Sequence, residues 1–103
     1  MYYVYVLLSL KDQKFYIGFS EDVKKRLEDH NAGRNTSTKY RRPFELIYYE
    51  AHSSKEDALR RENYFKTTKG KSTLRQMLRA TLNNRNNNSY FGRSVKPQQR
   101  GDQ

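Results

Sequence analysis

The chain has no cysteine. That excludes disulfides, thiolate zinc sites and thiol catalysis, and it agrees with a cytoplasmic address. Apolar residues make up only 34% of the 103 residues, enough for one compact domain with a single core and not for two. The longest strongly apolar run is Val4 to Leu8, too short to span a bilayer or to serve as a signal segment, so no membrane role is expected. Acidic residues are scarce beside basic ones, 11 against 21. No Ser-His-Asp arrangement and no carboxylate pair at metal-ligand spacing is apparent, and no internal repeat is seen. Gly70-Lys71-Ser72-Thr73 imitates the end of a phosphate-binding loop, but that motif needs a glycine where this chain has Phe65. It also needs a preceding strand where a helix is expected. Nucleotide triphosphate binding is therefore rejected, although a helix start with Ser72 and Lys71 could hold a nucleic-acid phosphate.

What the chain does have is positive charge and tyrosine. The net charge is +10, a value that attracts polyanions. Residues 1–82 carry 17 basic and 10 acidic side chains, so the excess belongs to the body and not to the end of the chain. Nine tyrosines supply core residues that can also donate hydrogen bonds or move protons.

Element signals follow in order. Met1 to Leu10 reads as a strand, Lys11 to Gln13 as a hairpin connection, and Lys14 to Phe19 as its antiparallel partner. Ser20 is expected to cap a helix running to about Asn31, with Gly33 as its stop. A polar basic loop leads to a third strand, Phe44 to Glu50. Ser53 and Glu56 form a capping-box pattern for a helix to about Lys69, broken by Gly70, and Ser72 can cap a last helix through Leu82. Residues 83–103 are Asn-, Gln- and Arg-rich with almost no apolar pattern, and are expected to form a flexible tail. The order β-β-α-β-α-α implies an α+β domain with a three-stranded antiparallel sheet flanked by helices.

Helical geometry singles out polar residues on apolar faces. Successive residues turn about 100° around a helix axis. Arg26 and His30 therefore fall on the side of Val23 and Leu27, facing or flanking the sheet. Glu62 sits between Ala58 and Phe65 on the later helix. A carboxylate there loses hydration and needs a partner, either Arg26 or a hard cation such as Mg²⁺. Tyr5 and Tyr16 are central in the two paired strands and come near each other across the ladder. These five residues are expected to converge on one sheet face. His52, with no His or Cys nearby, reads as a surface residue.

The series Tyr3-Val4-Tyr5, Tyr16-Ile17-Gly18, Asp22 to Leu27, His30 to Gly33, Arg41-Arg42-Pro43 before LIYYE, and Ala58 to Glu62 resembles the GIY-YIG (URI) nuclease domain. The likeness covers about residues 1–82. It is nearest to small stand-alone bacterial members, predicted endonucleases related to the incision subunit of nucleotide-excision repair. Two departures stand out: the first triplet is Tyr-Val-Tyr, and Leu74 lies near where some members carry an asparagine.

The resemblance implies that Tyr5 and Tyr16 are the triplet tyrosines, Arg26 the catalytic arginine, His30 a position held by His or Tyr, and Glu62 the metal-binding glutamate. The implied activity is a DNA endonuclease with one Mg²⁺ or Mn²⁺, structure-directed or weakly sequence-specific, serving repair or recombination. In that chemistry Glu62 would hold the ion, Arg26 would bind the phosphate, a tyrosine would deprotonate water, and His30 would assist proton transfer or orient the phosphate. A tyrosine base requires a cation beside it to lower its pKa from about 10. Lys39, Arg41, Arg42, Arg60, Arg61, Lys66, Lys69 and Lys71 are the candidate phosphate contacts. DNA is the expected partner, with RNA as an alternative. The competing readings are a non-catalytic DNA- or RNA-binding module on the same fold and a basic protein that docks on a nucleoprotein.

Overall fold

A computed structural model describes residues 1–91. The order is β1 (Tyr2–Ser9), β2 (Phe15–Ser20), α1 (Val23–Asn31), a short 3-10 turn (Lys39–Arg41), β3 (Phe44–His52), α2 (Lys55–Phe65), α3 (Thr68–Met77) and α4 (Arg79–Phe91). The sheet is antiparallel in the order β2-β1-β3. Residues 4–9 of the central strand are all buried, because helices cover both faces.

Alternation along β1 divides the interior in two. Val4 and Val6 pack with Ile17, Ala58, Phe65, Leu74 and Leu78, beneath α2, α3 and α4. Tyr5 and Leu7 pack with Phe44, beside Tyr16, Val23, Leu27 and Leu46, beneath α1. A bulge in β3 opposite Val6 and Leu7 turns Ile47 and Tyr48 to the same side, and both pack on the first cluster. Fully burying a side chain such as Phe65 or Leu74 contributes roughly 1.5–3 kcal/mol, so the larger cluster anchors the fold.

Several boundaries differ from the sequence expectation. Asp22, not Ser20, caps α1 by accepting from the Lys25 N–H at 3.0 Å; Ser20 is instead tied to the Asp22 backbone. Ser54, not Ser53, caps α2. Gly70 is no breaker. The chain turns at Lys66 and Thr67, and Thr67 caps α3 by accepting from the Gly70 N–H at 3.0 Å. Gly70 then lies buried inside α3, where a Cβ would collide with the Tyr64 carbonyl. Its missing side chain lets α3 cross the end of α2 closely.

Helical backbone also continues through residues 83–91, which the sequence assigns to the tail. Leu82 packs against the core and Arg85 pairs with Glu45 of β3, ties that composition does not display. Residues 92–103 of that expected tail lie outside the described residues. Among the described residues no helix is long and apolar enough to cross a membrane.

Candidate active site

Helix α1 delivers Arg26 and His30 one turn apart, as its wheel requires. Asn31 fastens the end of that helix to β3 through two bonds, donating to the Phe44 carbonyl at 3.0 Å and accepting from the Phe44 N–H at 2.7 Å. His30 is 0% exposed. It lies among the rings of Tyr16, Phe44 and Tyr5, at centroid distances of 4.7, 5.8 and 6.2 Å. Its Nε2 is 3.1 Å from the Tyr5 hydroxyl and its Nδ1 is 2.8 Å from Thr38 Oγ1. Burial, assisted by the Arg26 charge, pushes its pKa below the ordinary 6.5, so the ring is neutral at pH 7. The expectation that His30 shuttles protons or orients a phosphate does not suit this enclosure. Its contacts hold Tyr5.

Tyr5 sits opposite Gly18 in the β1–β2 ladder. Its ring lies against that glycine: a Cβ at position 18 would collide with Tyr5 Cζ and Oη. This explains the glycine of the Tyr-Ile-Gly triplet. Tyr5 is 1% exposed, and burial raises its phenol above the ordinary value of 10 even though the Arg26 guanidinium pulls the other way. The cation expected to make Tyr5 a base is present but is outweighed by desolvation. Tyr16 occupies the same face, opposite Leu7, and is only half-buried; the two tyrosine rings are 6.4 Å apart.

Arg26 is half-buried beside the Tyr5 phenol, which raises its pKa further. Its Nε is buried with no hydrogen-bond partner among the described residues. Asp29, the nearest acid on α1, is engaged by Arg34 at 2.7 Å and Lys25 at 3.5 Å. A cavity of about 470 Å³ opens beside Arg26, lined also by Asp29, Arg34, Asn35, Thr36 and Ser37.

Glu62 departs from the expected placement. It belongs to α2, which packs on the sheet face opposite α1, so the five residues do not share one face. Four lie on the α1 side. Glu62 approaches from the other layer, near enough for its charge to raise the Tyr5 phenol. Arg26, one of the two alternative partners expected for Glu62, does not pair with it: Glu62 pairs with Lys66, the residue that caps its own helix, at 3.1 Å. Its carboxylate side chain is only 15% exposed. Among the described residues there is no cluster of three or more His, Cys, Asp or Glu able to hold a metal. One sheltered carboxylate, whose partner is a half-exposed lysine, fits an ion that keeps most of its waters and takes other ligands from substrate phosphate, as Mg²⁺ does.

A family model described as the GIY-YIG catalytic domain matches residues 1–76. The chain belongs to the GIY-YIG family. Such a domain is of nuclease type, a hydrolase that acts on DNA and generally uses a divalent metal ion. Small bacterial proteins of the UPF0213 group are similar to it in sequence. One from Streptococcus pyogenes serotype M5 is 46% identical over 71 residues, covering 68% of this chain and 76% of its own. One from serotype M3 matches to the same extent. The solution NMR structure of a UPF0213 protein from Bacillus halodurans is 36% identical, with a TM-score of 0.47, covering 75% of this chain and 85% of that one.

The basic residues of this GIY-YIG domain divide by what they touch. Arg41 is committed to structure: it donates to Asp12 at 2.7 Å and to the Lys14 and Phe15 carbonyls, and holds the Asp12 carboxyl at about 2. Arg61 is likewise committed, donating to Glu50 at 2.8 Å and lying 4.3 Å over the Phe65 ring. His52, expected at the surface, is half-buried and joins the same carboxylate at 2.8 Å. Lys39 lies over Tyr40, Arg42 donates to the Lys39 carbonyl, Arg60 pairs with Asp57, and Lys66 with Glu62. Lys69 is exposed and Lys71 half-buried.

Two features lie outside the sequence expectation. Residues 66–91, which hold α3 and α4, contain no acidic residue and also carry Arg75, Arg79 and Arg85. The acid-free stretch was visible in the sequence. Thr38, 1% exposed against His30, was not, because a threonine in a polar loop carries no periodic signal.

Proposed function

We propose that this GIY-YIG domain is a metal-dependent endonuclease that hydrolyses DNA phosphodiester bonds, structure-directed or weakly sequence-specific, in DNA repair or recombination. The observation that carries the reading is Arg26. Its guanidinium stands beside two tyrosines, one of which also feels the Glu62 charge, with a buried Nε that the fold leaves without a partner among the described residues. A buried polar atom costs free energy unless something meets it, and a phosphate oxygen is the complement that a guanidinium fork fits.

In this reading Arg26 binds the scissile phosphate and stabilises the charge that grows in the transition state. Tyr16 is the better candidate to take the proton from water, since it is half-buried on the same face while Tyr5 is enclosed and raised. Tyr5 and His30 hold the floor of the site. Glu62 would hold one Mg²⁺ or Mn²⁺ in exchange for Lys66, and the ion would supply Lewis-acid charge to the phosphate oxygens. Exposed Lys69 and Arg75 on α3 and Arg79 on α4 would follow the backbone of DNA. Such contacts position without reading sequence, which is why weak sequence preference is expected.

A nicking assay on supercoiled and branched DNA, with Mg²⁺ or EDTA, tests the reading. Wild type should cut with the metal and stop with EDTA, and Glu62→Ala should be inactive. Binding without cutting of any DNA form would instead support a non-catalytic binding module. Failure to bind even at low salt would support a protein-docking role.

A further inference from the structure

We propose that Thr38 is a positioning residue that fixes the tautomer of His30 and thereby the orientation of the Tyr5 hydroxyl beside Arg26. The case rests on matching donors to acceptors inside a closed group. Thr38 and His30 are 1% and 0% exposed, so water does not complete their bonding. Thr38 Oγ1 lies 2.8 Å from His30 Nδ1 and donates to the Asn35 carbonyl at 3.4 Å. A hydroxyl has one proton. With that proton directed at Asn35, Thr38 must accept from His30, which puts the imidazole proton on Nδ1. Nε2 is then an acceptor, and the Tyr5 hydroxyl 3.1 Å away donates to it.

The opposite tautomer leaves a proton stranded. If Thr38 donated to Nδ1, Nε2–H would donate to Tyr5. The Tyr5 oxygen would then face two donors, His30 and the Arg26 guanidinium beside it. Its own proton would have no acceptor among its described neighbours, and such an omission in a buried site is costly. In the Nδ1–H form every proton of the chain Tyr5–His30–Thr38–Asn35 has an acceptor. The Tyr5 oxygen then keeps a lone pair free for the Arg26 guanidinium beside it. The groups facing His30 from the surrounding elements are Tyr5 on β1, Tyr16 on β2, Phe44 on β3, and Arg26 and Asp29 on its own helix.

The catalytic consequence rests on the endonuclease reading, whereas the tautomer does not. Only His30 and His52 are histidines, so their imidazole ¹⁵N resonances are separable by NMR. Wild type and Thr38→Ser should show His30 as the neutral Nδ1–H form at pH 7.5. Thr38→Val should shift it toward the Nε2–H form or a mixture. In the nicking assay Thr38→Val should lose roughly tenfold or more, the lower end of the loss when the hydrogen-bond partner of a metal-ligating histidine is removed, and Thr38→Ser should restore most of it. An Nε2–H His30 in wild type would overturn the proposal, and that spectrum needs no variant to fold. An unchanged tautomer in Thr38→Val would also overturn it. A wild type that shows the Nδ1–H form yet cuts no DNA supports the Thr38 assignment and defeats the nuclease reading alone.

Discussion

Gly18→Ala is the smallest change that strikes the centre of the site. The added methyl would occupy space now filled by Tyr5 Cζ, Oη and Cε2. Tyr5 cannot swing aside freely, because it is 1% exposed and its hydroxyl is bonded to a histidine that is itself enclosed. Overpacking a tight interior costs about 1–3 kcal/mol. Breaking the Tyr5–His30 bond and leaving a group unmet costs about 1–3 kcal/mol more. A destabilisation of roughly 2–6 kcal/mol is therefore expected, from a total stability on the order of 5–15 kcal/mol. For a domain of this size that lowers the Tm by at least about 8 °C. Urea denaturation of Gly18→Ala in wild-type and Tyr5→Leu backgrounds isolates the cause. Once the ring is gone the alanine has space, and the backbone at position 18 is not left-handed. It should then be neutral, or stabilising by about 0.4–1 kcal/mol through the unfolded chain. A Gly18→Ala protein within about 0.5 kcal/mol of wild type, or the same large destabilisation in both backgrounds, would contradict the packing of Tyr5 on Gly18.

Two further outcomes are expected. The folded protein holds His30 below its ordinary pKa of 6.5, so the unfolded chain takes up that proton first. The stability due to neutral His30 is complete above about pH 6.5 and is lost as pH falls through the folded value. Urea midpoints should therefore drop between pH 7.5 and pH 5.5 in wild type and drop less in His30→Gln; equal drops would contradict the buried neutral imidazole. Replacing both Arg75 and Arg79 by Ala should weaken DNA binding uniformly across sequences. It should also reduce the slope of log K against log salt by about 0.9 for each phosphate no longer neutralised. An unchanged slope would remove α3 and α4 from the interface.

The sheet and the α1 face were legible in the sequence because each depends on local pattern. The β-branched and aromatic residues from Met1 to Leu10 mark the central strand, and the spacing of Val23, Arg26, Leu27 and His30 sets which side of α1 turns inward. Caps were misplaced by one or two residues, at Ser20 and Ser53, because adjacent residues there are equally good cappers. Gly70 misled for a different reason. Glycine breaks helices by its intrinsic preference, but here close passage of the Tyr64 carbonyl demands it, and that approach is tertiary. Arg41 and Arg61 looked like phosphate ligands, since sequence reports charge and not whether Asp12 or Glu50 has already taken it. The layer to which Glu62 belongs was equally hidden, because a helical wheel shows that a residue faces inward but not which side of the sheet its helix covers.

Binding and cutting, measured on the same preparations of wild type and Glu62→Gln, separate a metal site at Glu62 from a surface that only binds DNA. The Glu62–Lys66 pair is an i,i+4 pair on one helix, of a kind worth about 0.2–0.5 kcal/mol, so the variant should fold and bind branched DNA with nearly unchanged Kd. Its Mg²⁺-dependent cleavage should fall by roughly a hundredfold or more, the scale of removing one charge-stabilising group from a transition state. Cleavage by Glu62→Gln at the wild-type rate would contradict the assignment of the metal to Glu62, and with it the site described around Arg26.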